Sequence, residues 1–191
     1  IDVIQEEATE DIEKMAAILP SEKTYLKTGV FETFKARIPW LMFLMISATF
    51  TGAIISSFEA KLATCIGLIA FIPMLMGTGG NSGSQASVTV IRALSLGDIE
   101  FKDILRVIWK ELRVSVITGL VLGIVNFAKL YLIDYLWLKS FDSGAEIAEM
   151  IIVCITLVLI VVVAKLLGAT LPIVAKKLGF DPAVMANPLV T

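Results

Sequence analysis

Histidine is absent from all 191 residues, which removes imidazole acid–base chemistry and the commonest zinc and iron ligand. Cysteine occurs only at Cys65 and Cys154. Both lie in apolar segments without metal-ligand or disulfide spacing, and they read as small packing hydrophobes. No G-x-S-x-G elbow and no nucleophile–base pair stands out, so an enzyme is not expected. The one glycine-rich stretch has no G-K-[ST] ending and no preceding strand, which leaves nucleotide binding unsupported. Basic residues are not gathered as a nucleic-acid surface requires, and the net charge is −2. The chain starts at Ile1 with neither an initiator Met nor a signal peptide, and it is expected to be a piece of something longer.

Apolar surface is what the chain has in excess. Hydrophobic residues make up 57% of the sequence against 18% charged, and the mean hydropathy is +0.87. One soluble domain of this length cannot bury that much, so the expected class is an all-α polytopic membrane protein with the lipid bilayer as its main partner. Residues 40–58 are 19 consecutive uncharged positions, close to the ~20 needed to cross a ~30 Å hydrocarbon core. A second span can run from near Leu62 into the glycine-rich stretch, since no charge occurs between Lys61 and Arg92. A third is expected from Arg113 to about Ile133, with Lys129 reaching the interface. A fourth covers roughly residues 147–175, interrupted by Lys165 and Pro172.

Residues 98–113 differ in kind. Phe101, Ile104, Leu105, Ile108 and Leu112 recur at helical spacing between charged residues, which predicts an interfacial amphipathic helix capped by Asp98. Lys and Arg gather before the first span, between spans two and three, and after span four. The positive-inside rule therefore puts the N-terminus, the amphipathic helix and the C-terminal tail in the cytoplasm. Residues 1–38 form a charged cytoplasmic linker helix region and residues 39–191 the membrane domain. Six acids fall within the first thirteen residues, Asp2, Glu6, Glu7, Glu10, Asp11 and Glu13. They form either a solvated face or a cation-responsive surface.

The segment from Pro73 to Ser87 carries the clearest functional signal. Gly77, Gly79, Gly80 and Gly83 fall within seven residues directly after an apolar run. Glycine weakens a helix, and irregular backbone at membrane depth is tolerated only against protein or a water-filled cavity. The lower half of span two is therefore expected to be irregular and to border a polar pathway. Close helix packing through small residues is the alternative. Asn81 and Gln85 favour the pathway, because amides in lipid need a partner, water or an ion. After span four, Asp181 precedes Pro182 and is expected to cap a short helix, in a tail that also holds Asn187, Pro188 and Thr191. For Lys165, snorkelling or an internal ion pair stands level with a pathway role.

At these residues the chain resembles the MgtE family of magnesium channels and transporters. The likeness covers P-x-L-x-G-T-G-G-N-x-G-x-Q from Pro73, Ile91-Arg92-Ala93-Leu94, Leu166 to Pro172, Asp181-Pro182-Ala183, and Asn187-Pro188-Leu189-Val190. Glu6 to Asp11 is similar to the junction between the family's CBS domains and its membrane domain. The resemblance implies a five-span homodimer in the cell membrane that conducts Mg²⁺ inward along the dimer axis and closes when cytoplasmic Mg²⁺ is high. It places Asn81, Gln85, Asn187 and Thr191 along the ion path, and Asp2, Glu7, Glu10, Asp11 and Asp181 beside regulatory Mg²⁺. It also implies that the N-terminal and CBS domains precede Ile1, and that a fifth span with a selectivity aspartate follows Thr191. An ion-coupled secondary transporter, for a small solute or another divalent cation, is the competing expectation.

Overall fold

The computed structural model describes residues 10, 12–16, 18–19, 25–63, 66–137 and 146–185. Among them there is helix and no strand. Helix α1 spans Val30–Ser57, followed by the short α2 at Glu59–Leu62 and α3 at Ile66–Ile69. Helix α4 spans Ile72–Ser95, α5 spans Ile104–Lys129 and α6 spans Glu146–Lys177. A 3₁₀ turn at Phe101–Asp103 leads into α5, a π-helical turn at Leu130–Tyr135 ends it, and a 3₁₀ turn at Pro182–Met185 follows α6. By length and composition, Val30–Ser57, Phe101–Tyr135 and Ile147–Lys177 can each cross a membrane. The chain is an all-α polytopic membrane protein.

Helix α6 is the centre of the bundle. Along α4, Gly79 meets Ile160, Gly83 meets Gly168, and the Leu94 carbonyl accepts a 2.9 Å hydrogen bond from Lys176 Nζ. The two helices therefore run parallel. Along α5, Gly119 and Gly123 meet Val158, and Asn126 Nδ2 donates to Cys154 Sγ at 3.6 Å, so this pair is antiparallel. Ser115, Gly119 and Gly123 recur every fourth residue and are all buried. This stripe lets α5 lie close on α6 through dispersion contacts, which lipid cannot weaken as it does the hydrophobic drive.

The glycine-rich stretch is not irregular. Gly77 to Ser87 sits inside the uninterrupted helix α4, correcting the expectation of broken backbone. Where water cannot compete for the peptide groups, intrahelical bonds satisfy them, and this outweighs a propensity loss of about 1 kcal/mol per glycine. Gly79, Gly80 and Gly83 are buried. A Cβ built on Gly168 would fall 2.8 Å from the Gly83 carbonyl carbon, so the helices touch backbone to backbone. The break in this region lies earlier, in the short turns before α4, and Pro73 sits in the first turn of α4, where its missing N–H costs nothing. Pro172 is buried within α6 without ending it.

Two further differences concern boundaries. The amphipathic stretch is continuous with span three as one 35-residue helical segment, about 50 Å long, because neither Gly nor Pro occurs from Asp98 to Thr118. Ile104 and Val107, near its start, pack on the Ala86, Val90, Leu94, Ala169 and Ile173 cluster. Its cap is Glu100 paired reciprocally with Asp103, not Asp98. Helix α1 begins at Val30, inside the charged region, and buries no residue. Beyond Arg37 it carries no charged residue on any side, as lipid or additional protein contacts require.

If the α4–α6 seam is as close as this, Gly168→Ala should destabilise the intact protein in detergent by about 1–3 kcal/mol through overpacking. Gly52→Ala on α1, where a Cβ meets nothing, should be neutral or slightly stabilising. Thermal unfolding of the two variants compares them directly.

Candidate ion pathway

Helix α4 has two unlike faces. The packed face carries Gly79, Gly80, Ser82, Gly83, Ala86, Ser87, Val90, Ile91 and Leu94. On the opposite face Gly77, Asn81, Gln85, Thr89 and Arg92 are exposed. Asn81, Gln85 and Thr89 are spaced four apart and form one polar stripe. The Thr89 hydroxyl is turned back onto the Gln85 carbonyl at 2.8 Å, while both amide side chains project from the bundle. Asn81 lies about 14 Å along the helix from Ile72. Two carboxamides at that depth are costly against lipid, and a partner, water or an ion must meet them. Close packing thus takes one side of this helix and the exposed amides lie on the other.

The basic end of the bundle is shaped by two left-handed glycines, Gly97 at φ 74° and Gly179 at φ 81°. After α4 the Asp98 N–H donates to the Ala93 carbonyl, and after α6 the Phe180 N–H donates to the Ala175 carbonyl, both at 2.9 Å. Each closes its helix with a Schellman turn, for which glycine is the natural residue. The turn after α6 delivers Asp181, whose Oδ1 accepts from the Ala183 N–H at 2.9 Å and caps the 3₁₀ turn as expected. Its Oδ2 lies 2.8 Å from Lys14 Nζ, and the same ammonium holds Glu10 Oε1 at 3.0 Å. Glu10 and Asp181 are thus joined through a protein cation. Asp2, Glu7, Asp11, Asn187, Pro188 and Thr191 lie outside the described residues, which contain no cluster of three or more metal-binding side chains.

Burial alone pushes the Asp181 carboxyl up, but the hydrogen bond from Lys14, the Ala183 N–H and the Lys14 charge outweigh it and hold the group below its ordinary value of 3.8. Lys14 is raised above 10.5 chiefly by its hydrogen bonds to Asp181 and Glu10. Several polar groups lie deeper. Glu149, Asp134, Asn126 and Lys165 are each at most 7% exposed. Lys165 neither snorkels nor pairs with a carboxylate among the described residues. Lys129 pairs with Asp134 Oδ2 at 2.9 Å and sits over the Phe71 ring, rather than simply reaching for the interface. Asp134 and Glu149 were not singled out in the sequence. Their signal is faint, an acid five residues after Lys129 and an acid at the head of an apolar run.

The structure defines a helical membrane bundle in which one glycine-packed helix carries a polar face. The family described as "Divalent cation transporter", MgtE, matches residues 72–191. Three relatives called magnesium transporter MgtE align over the whole chain, those of Thermus thermophilus at 37% identity, Bacillus subtilis at 33% and Enterococcus faecalis at 31%. The chain belongs to the MgtE family of divalent cation transporters. It spans about 40% of the length of these relatives.

The Lys14–Asp181 latch has a defined pH signature. Asp181 is depressed, so its contribution is complete above about pH 4 and is lost as pH falls through its lowered value. Lys14 is raised, so its part is complete below about pH 10 and is lost as pH rises through its higher value. Limited proteolysis of residues 10–27 should be flat between these limits and should accelerate at both extremes. Asp181→Asn should raise cleavage at pH 7 by a few-fold, in keeping with the ~1 kcal/mol or less of a partly solvated pair.

Proposed function

We propose that this chain is the membrane domain of a Mg²⁺-selective channel or transporter that admits Mg²⁺ down its electrochemical gradient. The observation that carries the reading is the Asn81–Gln85 stripe, exposed on the face of α4 opposite its glycine seam. Mg²⁺ prefers six oxygens and dehydrates reluctantly, so a path lined by amide and carbonyl oxygens can pass it hydrated. The relatives' name points to the same ion. In this reading α4 is the fourth spanning helix, polar enough to need protein on both sides. The stripe faces a second copy of the chain across a homodimer axis, with Asn187 and Thr191 at the cytoplasmic mouth.

The domain resides in the cell membrane with residues 1–38 and the basic end cytoplasmic, as the positive-inside rule predicts. Gating by cytoplasmic Mg²⁺ uses Asp2, Glu7, Glu10, Asp11 and Asp181, together with CBS and N-terminal domains in the intact protein. Mg²⁺ ions there screen like charges and let acidic helices approach. In this structure Lys14 already does so for Glu10 and Asp181, and a metal ion at that place has to displace its ammonium. The competing secondary-transporter reading relied on broken helices at the glycine stretch and Pro172. Both helices are continuous there, which speaks against the broken-helix site that a small-solute transporter of this kind uses.

Intact protein carrying this sequence should rescue growth of cells lacking Mg²⁺ uptake at limiting Mg²⁺. Asn81→Ala and Gln85→Ala should cut Mg²⁺ flux into proteoliposomes by about tenfold, the scale of one lost polar contact of ~1.4 kcal/mol. Wild-type flux in both variants would defeat the reading.

A further inference from the structure

The first turns of α5 carry charge and aromatic surface that the proposed ion path leaves unused. Lys102 pairs with Glu100 at 2.9 Å and Arg106 with Asp103 at 3.2 Å. Lys110 and Arg113 are exposed and have no carboxylate partner among the described residues. Glu111 lies about 160° round the helix from Arg113. Arg113 Nε donates to the Trp109 carbonyl at 3.3 Å, and the guanidinium carbon stands 5.7 Å from the centre of the Trp109 ring. Trp109 is 59% exposed. An indole so placed, with a cation over it, suits the headgroup level of a bilayer.

Beyond Arg113 the same side of α5 changes character. No charge occurs from Val114 to Ala128. Arg106, Arg113, Leu120 and Phe127 recur every seventh residue of one unbroken helix, so they stand nearly in line. Leu120, Ile124 and Phe127 form one wall of an apolar groove of about 290 Å³, whose other wall is Cys154, Ile155 and Val158 of α6. Leu120 stands about 10 Å along the helix from Arg113 and Phe127 about 21 Å. The groove thus occupies the depth at which a lipid chain runs, given ~30 Å for the hydrocarbon of two leaflets. Left empty it would forfeit dispersion contacts, and apolar walls offer water nothing to bond. A methylene chain fills it.

We propose that Lys110 and Arg113 hold the phosphate of one anionic phospholipid, with one of its acyl chains seated in the α5–α6 groove. The planar fork of arginine meets phosphate oxygens two at a time. Lys110, one turn earlier and adjacent on the surface, adds a second positive charge. Two unpaired bases against one phosphodiester favour a headgroup with no positive charge of its own. Phosphatidylglycerol meets that condition, whereas phosphatidylcholine brings an ammonium towards them. The bound lipid bridges α5 and α6 from outside, across the seam that Gly119 and Gly123 close from within.

Native mass spectrometry of the intact protein, released from micelles and titrated with phosphatidylglycerol or phosphatidylcholine, tests it. One tight phosphatidylglycerol site per chain is expected, with phosphatidylcholine about fivefold weaker or worse. Lys110→Gln and Arg113→Gln should each weaken the site about fivefold, the scale of one base near an anionic membrane surface. Lys102→Gln removes the same charge from a paired base outside the site and should leave retention unchanged. Leu120→Trp, at an exposed position, fills the groove without altering any charge and should weaken retention too. Excess glycerol phosphate should not displace the lipid. Equal retention of the two lipids, or an equal loss in Lys102→Gln, would mean diffuse surface attraction and overturn the proposal. Wild-type retention in Arg113→Gln or Leu120→Trp would overturn it as well, the latter showing that a second copy or another helix covers the groove, and displacement by glycerol phosphate would show a free-phosphate site instead. An unchanged unfolding midpoint in phosphatidylcholine verifies the fold of each variant. Loss of Mg²⁺ flux with lipid retention intact would count against the transport reading alone.

Discussion

The contact between Gly83 and Gly168 sets the distance between α4 and α6, and the rest of the bundle is arranged around it. Lipid tails are as apolar as the side chains they replace, so helices in a bilayer gain little by hiding leucine from solvent. They gain by approaching closely, and two glycines facing each other allow the closest approach the backbone permits. From that point the Gly79–Ile160 contact on one side and the Lys176–Leu94 hydrogen bond on the other fix the rotation of α4. That rotation points Asn81 and Gln85 away from the bundle.

The same economy governs α5. Ser115, Gly119 and Gly123 bring it against Val158, and the antiparallel register that follows places Leu130 by Met150 and Asn126 by Cys154. The buried acids at that end are a by-product of this register, in that Asp134 and Glu149 lie just beyond the matched apolar pairs. Small residues thus decide where the polar ones go.

Much of the architecture was legible in the sequence. Long uncharged runs placed both ends of α6 within two residues and the end of α1 within one, while α1 starts ten residues ahead of its run, and Asp181 before Pro182 announced its cap. The glycine stretch misled about regularity, since propensity scales describe isolated helices, whereas Gly79, Gly80 and Gly83 are buried against a neighbouring helix. Its two-faced character was already implicit in the spacing of Gly79, Gly83, Asn81 and Gln85, which becomes plain once the stretch is wound as a helix. The amphipathic segment was read correctly in periodicity and wrongly as a separate element, because periodicity carries no information about where a helix ends. The π-helical turn at Leu130–Tyr135 left no trace in the residue pattern, and without it Lys129 and Asp134 look unrelated.

The parallel seam between α4 and α6 has a mechanical meaning. Where two backbones touch without side chains between them, sliding one helix along the other would drive Cβ atoms of neighbouring residues into the opposing chain. The pair therefore behaves as a single stiff beam, and any displacement of Asn81 and Gln85 carries the far end of α6, with Gly179 and Asp181, along with it. Helix α1, which buries no residue, is tied to the N-terminal segment by the Leu19 N–H, which donates to the Ala36 carbonyl at 3.0 Å.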